Sequence, residues 1–339
     1  MTQIEKPTLG KNQRWIDADL ASAVLPRREP GAHKWGVGAV LVIAGSPTYT
    51  GAAWLTSRAA GRAGAGIVVL ASGRSVIGTV APAIPEVVHV TLPESDTQSG
   101  AKRMLERIEE QLDRVKAVVI GPGLGDDEAS EALLSTLFGF GGKSLKIRDN
   151  IGFGRAIPLS ARQGSDKEKT TSSPIFSRQD MPVLIDADGL NWLSKQDKWH
   201  EYLPAGRAVL TPHPAEMGRL LGIDADEVLK DPVKCAMDAA TTWKQTVVLK
   251  SGYTVATDGK QALIAEEAPV ALATAGSGDV LAGSIGALLA QGLAPLDAAA
   301  VAIQAGIGAA NLASGTFGDL GVLATDLPDA MARAMKELQ

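Results

Sequence analysis

The feature that most constrains the fold is a recurring pattern of short apolar runs, most of which end in glycine or a small polar residue. The runs are rich in valine, isoleucine and leucine, which is typical of strands that are buried on both faces of a parallel sheet. They are Ala39–Ala44, Ile67–Leu70, Ala117–Ile120, Val183–Ile185, Ala208–Leu210 and Thr246–Leu249. The pattern therefore predicts a largely parallel sheet.

Helical segments lie between these runs. They are Ala52–Ala63, Ala101–Leu112, Glu128–Leu137, Ala215–Leu221 and Val233–Trp243. An Asp-Gly turn predicts a hairpin between Tyr253–Ala256 and Gln261–Ala265, and Ala-rich helices are predicted at 280–291 and 296–314. The alternation of strands and helices predicts an α/β fold, with a mostly parallel central sheet and helices on both faces.

Composition excludes several classes of protein. The chain of 339 residues has a net charge of −5, which argues against a broad nucleic-acid-binding surface. Cys235 is the single cysteine, which excludes an internal disulfide and a cysteine-built zinc site. Residues 1–30 lack the apolar segment of a signal peptide, and no apolar stretch approaches ~18 residues. We expect a cytoplasmic protein with no nucleic-acid or membrane partner.

The sequence predicts one domain with an N-terminal extension and an insertion. We assign residues 1–30 to an N-terminal extension and residues 31–339 to a single domain. A polar stretch at about 140–181, rich in Gly, Lys, Arg, Ser and Thr, breaks the alternating pattern. We therefore treat it as an insertion into the domain.

Small or polar residues follow five of the predicted strands. These ends are Gly45-Ser46, Gly121–Gly125, Asp186–Asp188, Thr211–Glu216 and Lys250–Gly252. Ligands of open parallel sheets bind outside the carboxyl ends of the strands, so we expect these residues to line one crevice. The GPGLG sequence at 121–125 has neither the G-x-G-x-x-G spacing nor the lysine of a P-loop, so neither nucleotide motif applies.

The sequence TAGSGDVLAG, residues 274–283, places Asp279 at the start of an apolar helix. Asp279 has two interpretations, since a carboxylate here can serve as a helix N-cap or stand beside a bound anion. The flanking glycines favour the second, because they let an anion approach the backbone N–H groups closely.

Other strand-end residues also keep two interpretations. His213, held between two prolines, is either a plain turn residue or, as we favour, a ligand contact. Lys250 offers a positive charge to a phosphate or is a solvated strand end. Asp186 and Asp188 form an acid–base pair or, as we favour, one caps a helix near Gly189 and the other orients the loop backbone. The four histidines show no metal-ligand spacing.

Six motifs in order carry a family resemblance. They are HKWGVGAVLVIAGSPTYTGAAWLTSRAAGRAGAGIVVLAS, VVIGPGLG, VLIDADGLNWL, VLTPHPAEMGRLLG, VVLKSGYTV and ATAGSGDVLAGSIGALLAQG. Together they resemble the ADP-dependent NAD(P)H-hydrate dehydratases, which have a ribokinase-like fold and are related to the carboxyl-terminal half of the YjeF proteins. The resemblance covers about residues 30–330, interrupted at 140–181.

The resemblance implies a lyase that repairs hydrated NADH and NADPH, with ADP as co-substrate and AMP and phosphate as products. It implies that Asp279 is the general base. The implied anion hole is Ala275, Gly276, Ser277 and Gly278; the implied hydrate contacts are Ala52, Gly123, His213 and Asp279; and the implied nucleotide contacts are Lys250, Ser251, Gly252, Tyr253, Thr254 and Gly278. It further implies Mg²⁺ bridging phosphate oxygens, although no dedicated metal ligands stand out.

The resemblance also implies a homotetramer that acts on the S hydrate and works with a separate epimerase. Two positions depart from the family pattern: Ser277 stands where threonine is common, and Ser251 separates Lys250 from Gly252. The choice between ADP and ATP stays open. So do a small-molecule kinase of the hydroxyethylthiazole or pyridoxal kinase type and a nucleotide-binding sensor without catalysis.

Overall fold

The computed structural model describes residues 6–94, 98–140 and 173–339. Its strands are β1 Gln13–Ile16, β2 Ala39–Ile43, β3 Ile67–Gly73, β4 Val88–Leu92, β5 Ala117–Ile120, β6 Val183–Ile185, β7 Ala208–Leu210, β8 Thr246–Leu249, β9 Val255–Thr257 and β10 Ala262–Ala265. They form one sheet in the order β1-β10-β9-β8-β7-β6-β5-β2-β3-β4. Only β9 runs antiparallel to its neighbours among these strands, which confirms the mostly parallel sheet and the hairpin.

The α-helices follow the strands along the chain. They are α1 Ala18–Val24, α2 Lys34–Val37, α3 Thr50–Arg62, α4 Arg74–Val80, α5 Gln98–Leu112, α6 Glu128–Leu137, α7 Asp188–Leu193, α8 Pro214–Leu221, α9 Ala225–Lys230, α10 Pro232–Trp243, α11 Ser277–Ala290, α12 Pro295–Phe317 and α13 Leu327–Glu337. They cover both faces of the sheet, as predicted.

Each face of the sheet has its own hydrophobic core. Alternate residues of β2 divide between the two: Val40 and Val42 belong to the core with α3, α11 and α12, whereas Leu41 and Ile43 belong to the core with α5, α6 and α10. Strand side chains point to opposite faces at every second residue, so a strand covered on both faces is apolar throughout. This double burial explains why the sequence shows continuous apolar runs.

Small residues bring α11 very close to its neighbours. A Cβ atom at Gly283 would lie 2.1 Å from the Thr56 carbonyl oxygen of α3, and one at Gly286 would lie 2.2 Å from Val119 Cγ2 of β5. Neither position accepts a side chain without moving the helix. The glycines therefore fix α11, and with it the position of its first turn.

The structure corrects the boundary at residue 30. Residues 13–16 form β1, which pairs in parallel with β10 at the edge of the sheet, and α1 packs on α12. Part of the predicted extension is thus built into the fold. β1 escapes a pattern search because it has four residues and buries only Ile16 completely.

The predicted insertion at 140–181 lies mostly outside the described residues. Its last part is described and belongs to the core, because Ile175, Phe176 and Met181 are buried on the face with α5 and α6. The insertion therefore ends earlier than the sequence suggests.

The helix α12 has the length and apolar composition of a membrane-spanning helix, although 72% of its apolar window is buried inside the protein. It packs against α13, α11 and α1. Its apolar surface therefore belongs to the core.

Candidate active site

Three adjacent strand ends meet through one buried carboxylate. Asp186 follows β6 and is 1% exposed. Its Oδ1 accepts hydrogen bonds from Thr211 Oγ1 at 2.7 Å and from Lys250 Nζ at 2.7 Å, and these residues follow β7 and β8. The predicted convergence at the carboxyl ends of the strands is confirmed for these three.

Lys250 is a buried cation between two acids. Its Nζ lies 2.7 Å from Asp186 Oδ1 and 3.9 Å from Glu216 Oε2, and its side chain is 18% exposed. Burial on its own lowers the pKa of Lys250, but the charges of Asp186 and Glu216 raise it, with the net result above its ordinary value. The ammonium therefore stays charged, and the interpretation as a solvated strand end is wrong.

His213 is the N-cap of α8. Its Nδ1 accepts hydrogen bonds from the N–H groups of Ala215 and Glu216, and the carboxylate of Glu216 accepts from the N–H of His213 at 2.8 Å. This reciprocal pair is a capping box. Burial and the nearby Lys250 and Arg219 lower the pKa of His213. The neutral ring is therefore favoured, with its N–H on Nε2, which lies 3.4 Å from Glu216 Oε1 on a side chain that is 46% exposed.

The loop after β5 approaches its neighbours without side chains. Gly121 has φ +121°, and a Cβ there would lie 1.9 Å from the Asp186 carbonyl oxygen. A Cβ on Gly123 would lie 2.6 Å from Ala52 Cβ at the start of α3. The structure thus brings together Ala52 and Gly123, two of the predicted substrate residues.

Asp188 orients this loop. Its Oδ2 accepts a hydrogen bond from the Gly125 N–H at 2.8 Å, which agrees with the interpretation that one of the two aspartates orients the loop backbone. Asp186 does not cap α7; the N-cap residue is Ala187, which makes no side-chain capping bond. Ala187 has φ +46° and ψ −115°, an uncommon conformation for a residue with a side chain. The strain falls between the two aspartates, a location typical of a functional site.

The first turn of α11 presents backbone N–H groups without acceptors. Gly276 is the N-cap with φ +94°, and a Cβ there would lie 2.5 Å from Leu55 Cδ1. Among the described residues, none accepts a hydrogen bond from the N–H of Gly276, Gly278 or Asp279. Ser277 differs, because its N–H donates to Thr274 O at 3.3 Å and its Oγ donates to Leu272 O. Such a turn suits an anion.

Asp279 is the third residue of α11 and not its N-cap, so the capping interpretation is wrong. Its pKa is raised to about 7, chiefly by burial and then by the charge of Asp186, while Lys250 opposes the increase. A carboxylate with this pKa changes protonation near neutral pH. That property suits a general base.

A cavity of about 560 Å³ opens beside this first turn. Its polar lining includes the first turn of α11, the loop after β8, His213 and Glu267, and its apolar lining comes from α12 and from the segment 265–273. Of the predicted nucleotide residues, Lys250, Ser251, Gly252, Thr254 and Gly278 line the cavity. Tyr253 packs instead against the core on the α10 side. The Oγ of Ser251 donates to the Tyr253 carbonyl, so the unusual serine closes the loop.

No group of three or more His, Cys, Asp or Glu side chains in the described part of the chain is arranged to hold a metal ion. The candidate acid Asp186 is already bonded to Lys250 and Thr211. These residues therefore fit a magnesium ion that arrives on phosphate oxygens better than one held by a protein cage.

The fold is ribokinase-like. A ribokinase-like superfamily protein from Enterococcus faecalis superimposes with a TM-score of 0.75 at 20% identity, covering 98% of this chain and 99% of that one. An ADP/ATP-dependent NAD(P)H-hydrate dehydratase from Bacillus subtilis, co-crystallised with ATP and Mg²⁺, superimposes with a TM-score of 0.72 at 24% identity, covering 97% and 100%.

Sequence comparison identifies the family within this fold. A family model described as NAD(P)H-hydrate dehydratase matches residues 40–139 and 164–333. The chain belongs to the NAD(P)H-hydrate dehydratase family. The bifunctional NAD(P)H-hydrate repair enzyme Nnr of Moorella thermoacetica is 33% identical over 332 residues, which cover 97% of this chain and 55% of that enzyme. The chain spans about half the length of the curated relatives it matches.

Sequence reasoning missed the part that Glu216 plays. Glu216 is 4% exposed and has its pKa raised, first by burial. It contacts both Lys250 and His213, so it links the buried charges to the helix cap. The TPHPAE sequence already contained the signal, because a Glu three residues after an N-cap completes a capping box.

Proposed function

We propose that the chain dehydrates the S form of hydrated NADH and NADPH, with ADP as the phosphoryl donor. The observation that carries the proposal is the position of Asp279, a carboxylate with a pKa of about 7 in a turn where the N–H groups of Gly276, Gly278 and Asp279 have no acceptor in the described structure. Family membership supports the same reaction.

The first step is a phosphoryl transfer. Asp279 takes the proton from the C6 hydroxyl of the hydrated ring, and the oxygen attacks the β-phosphorus of ADP as AMP leaves. The N–H groups of Gly276, Gly278 and Asp279 stabilise the charge on the transferring group, which is the main task in such a reaction. Lys250, anchored by Asp186 and Glu216, adds a positive charge beside Gly278.

The second step is elimination. The lone pair of the ring nitrogen expels phosphate from C6, and loss of a proton from C5 restores the double bond of NADH. Ala52 and Gly123 form the proposed floor for the hydrated ring, and Nε2 of His213 is a proposed contact. The nucleotide occupies the cavity beside α12, whose apolar lining suits a flat base. Magnesium belongs to the proposal as an ion carried by the phosphates, where it neutralises charge.

Three further parts of the proposal concern the setting of the enzyme. We place it in the cytoplasm, and we expect a separate epimerase to convert the R hydrate. We also expect a homotetramer. Exposed apolar side chains at the end of α12 and after it, Phe317, Leu320 and Leu323, support the presence of an interface between copies.

The test is recovery of the NADH absorbance band from purified hydrated NADH, with ADP, with ATP and with no nucleotide. The proposal requires recovery with ADP and release of AMP and phosphate in equal amounts. A small-molecule kinase would leave a stable phosphorylated product and no new NADH. Absence of NADH with both nucleotides would refute the dehydratase function.

A further inference from the structure

A second cavity lies at the opposite end of the sheet from the candidate active site. Its volume is about 400 Å³. It is built at the amino ends of three adjacent strands, because Lys116 directly precedes β5, Pro182 precedes β6 and Arg207 precedes β7. The last residues of α11, Leu289 and Ala290, form another wall. One helix thus touches both cavities, with its first turn at one and its last turn at the other.

This second cavity is lined by three basic side chains and one acidic side chain. The cations are Lys116, Arg178 and Arg207, and the acid is Asp180, so the formal charges leave an excess of two positive charges. Within the described residues, none of the three cations forms an ion pair with a carboxylate. Burial lowers the pKa of Arg207, and only the charge of Asp180 opposes it. The cavity therefore lacks the negative charge that would balance its lining.

Backbone carbonyls hold the two guanidinium groups in place. Arg178 Nη1 donates to the carbonyls of Leu112 and Val115 at 2.7 and 2.6 Å. Arg207 Nε and Nη2 donate to the Met181 carbonyl at 3.1 and 2.7 Å, and Nη2 also donates to the Arg178 carbonyl. Each guanidinium has five N–H donors, so both keep donors that these carbonyls do not use.

Lys116 keeps donors as well. Its Nζ makes one hydrogen bond, to the Gly36 carbonyl at 3.2 Å, whereas an ammonium group has three N–H donors. Carbonyls supply no net charge, so they orient the three cations without neutralising them. Oriented cations with spare donors are the arrangement that recognises phosphate oxygens.

We propose that this amino-end cavity binds the phosphate group of a small phosphorylated molecule, at a site separate from the proposed nucleotide site. The apolar wall formed by Leu289, Leu293 and Pro295 accommodates a small apolar or ring-shaped body attached to the phosphate. The volume fits such a molecule, and the net charge of −5 disfavours a nucleic-acid backbone as the source of the phosphate. The proposal does not depend on the dehydratase reaction.

The probe is phenyl phosphate, which joins one phosphate to a small apolar ring. We would titrate it by calorimetry into the full chain with saturating ADP, so that the first site is already filled. One phenyl phosphate should bind per chain, and binding should weaken as salt concentration rises. If ADP itself fills the amino-end cavity, ADP should titrate at two per chain, and the second equivalent should respond to the variants below.

Two variants at the cavity change its charge in opposite directions. Lys116→Glu should weaken phenyl phosphate binding about tenfold or more, because it replaces a donor with a repelling charge. Asp180→Asn should tighten binding by about threefold, because it removes the acid of the lining. Both side chains are exposed, so neither substitution disturbs the core.

Lys102→Glu is the matched control. It makes the same charge change on α5, about 15 Å along the helix axis from Leu112, whose carbonyl anchors Arg178. Binding to this variant should stay within about twofold of the parent chain. A chain saturated with ADP that takes up no probe overturns the proposal. So does a probe whose affinity falls equally with Lys102→Glu and Lys116→Glu, or fails to rise with Asp180→Asn.

Discussion

The two sides of the first turn of α11 are built differently. On one side lies the cavity, where apolar residues of α12 such as Ala302, Ile303 and Ile307 form much of the lining. On the other side lie charged groups: Asp186 and Glu216 flank Lys250, which also reaches the cavity lining, and the pKa of Asp279 responds to Asp186 and Lys250.

The difference separates two tasks. An apolar lining binds a ligand by excluding water, but it has no group that accepts a proton. Buried charges are costly to keep, because taking a charged group out of water requires a compensating partner. Their presence on one side of the turn supports the proposal that the proton transfer happens there. In the proposed reaction, the N–H groups of the turn bind the phosphoryl group that is transferred between the two sides.

The largest effect should come from Asp279→Asn, which removes the proposed base from the charged side of the turn and leaves the cavity side unchanged. Turnover should fall by about 10³-fold, because an amide cannot take the hydroxyl proton. The Kd for ADP should stay within about twofold, since the cavity is unchanged. Single-turnover kinetics and ADP titration measure the two quantities. Asp297→Asn is the control, because it makes the same change in the first turn of α12. Normal turnover by the Asp279 variant would remove Asp279 from the mechanism.

The same variant tests the raised pKa through stability. The pKa of Asp279 rises from 3.8 to about 7, so between these values the folded state holds a proton that the unfolded state has lost. The folded protein therefore loses stability as pH rises through this window, by up to about 4 kcal/mol. Asp279→Asn removes that loss. Its Tm should exceed that of the parent chain by a margin that grows from pH 4 to pH 7 and then levels off; a constant margin would contradict the assignment.

A smaller effect is expected from Gly278→Ala, which acts on the turn from the cavity side. The added methyl group would lie 3.4 Å from Lys250 Nζ, where we place the phosphate. The KM for ADP should rise about tenfold, and the fold should be retained because alanine favours a helix. Gly315→Ala on α12 is the control, since a Cβ there contacts nothing within 4 Å. An unchanged KM for ADP would move the phosphate away from this turn.

Much of this fold could be predicted, because burial on both faces leaves a clear trace in the sequence. β5 and β7 have the predicted bounds, since apolar runs end where the strands do. The edge strands are different. β4 was not predicted because an edge strand has one neighbour and less cover: Val88 is 50% exposed, and the rest of the strand is mixed in character.

The candidate site was predictable in outline and not in its pairings. Asp186 and Lys250 were each predicted as site residues because each follows a strand. Their ion pair was not predictable, because it joins residues 64 positions apart and depends on the strand order. The contact of Gly123 with Ala52 depends in the same way on the strand order, because β5 lies next to β2 and the loop after β5 approaches the start of α3. A sequence shows which residues carry charge or lack a side chain, whereas the topology decides which of them meet.

Asp186→Asn tests whether the charge of Asp186 sets the pKa of Asp279. It removes that charge and leaves the Asp279 carboxylate in place. Burial and the charge of Asp186 raise the pKa of Asp279, and Lys250 lowers it, so removal of the Asp186 charge should lower the pKa of Asp279. The acid limb of kcat/KM, expected near pH 7 in the parent chain, should move to lower pH. Glu216→Gln is the control, because it also removes a partner of Lys250 but lies outside the groups that shift Asp279. A limb that stays in place, or that moves equally in both variants, would show that Asp186 does not tune the base.

The smallest effect concerns His213, which lies where the two sides meet. His213→Ala removes both the helix cap and the imidazole, and the lost cap should destabilise the chain by about 1 kcal/mol. His213→Asn keeps a capping oxygen and loses only the reach of Nε2. Both variants should raise the KM for the hydrate about threefold to tenfold, with less effect on ADP, if Nε2 donates one hydrogen bond to the substrate. Equal increases in the KM for the hydrate and the KM for ADP would place His213 at the nucleotide and not at the hydrate. A KM change in His213→Ala alone would show that His213 acts only as the helix cap.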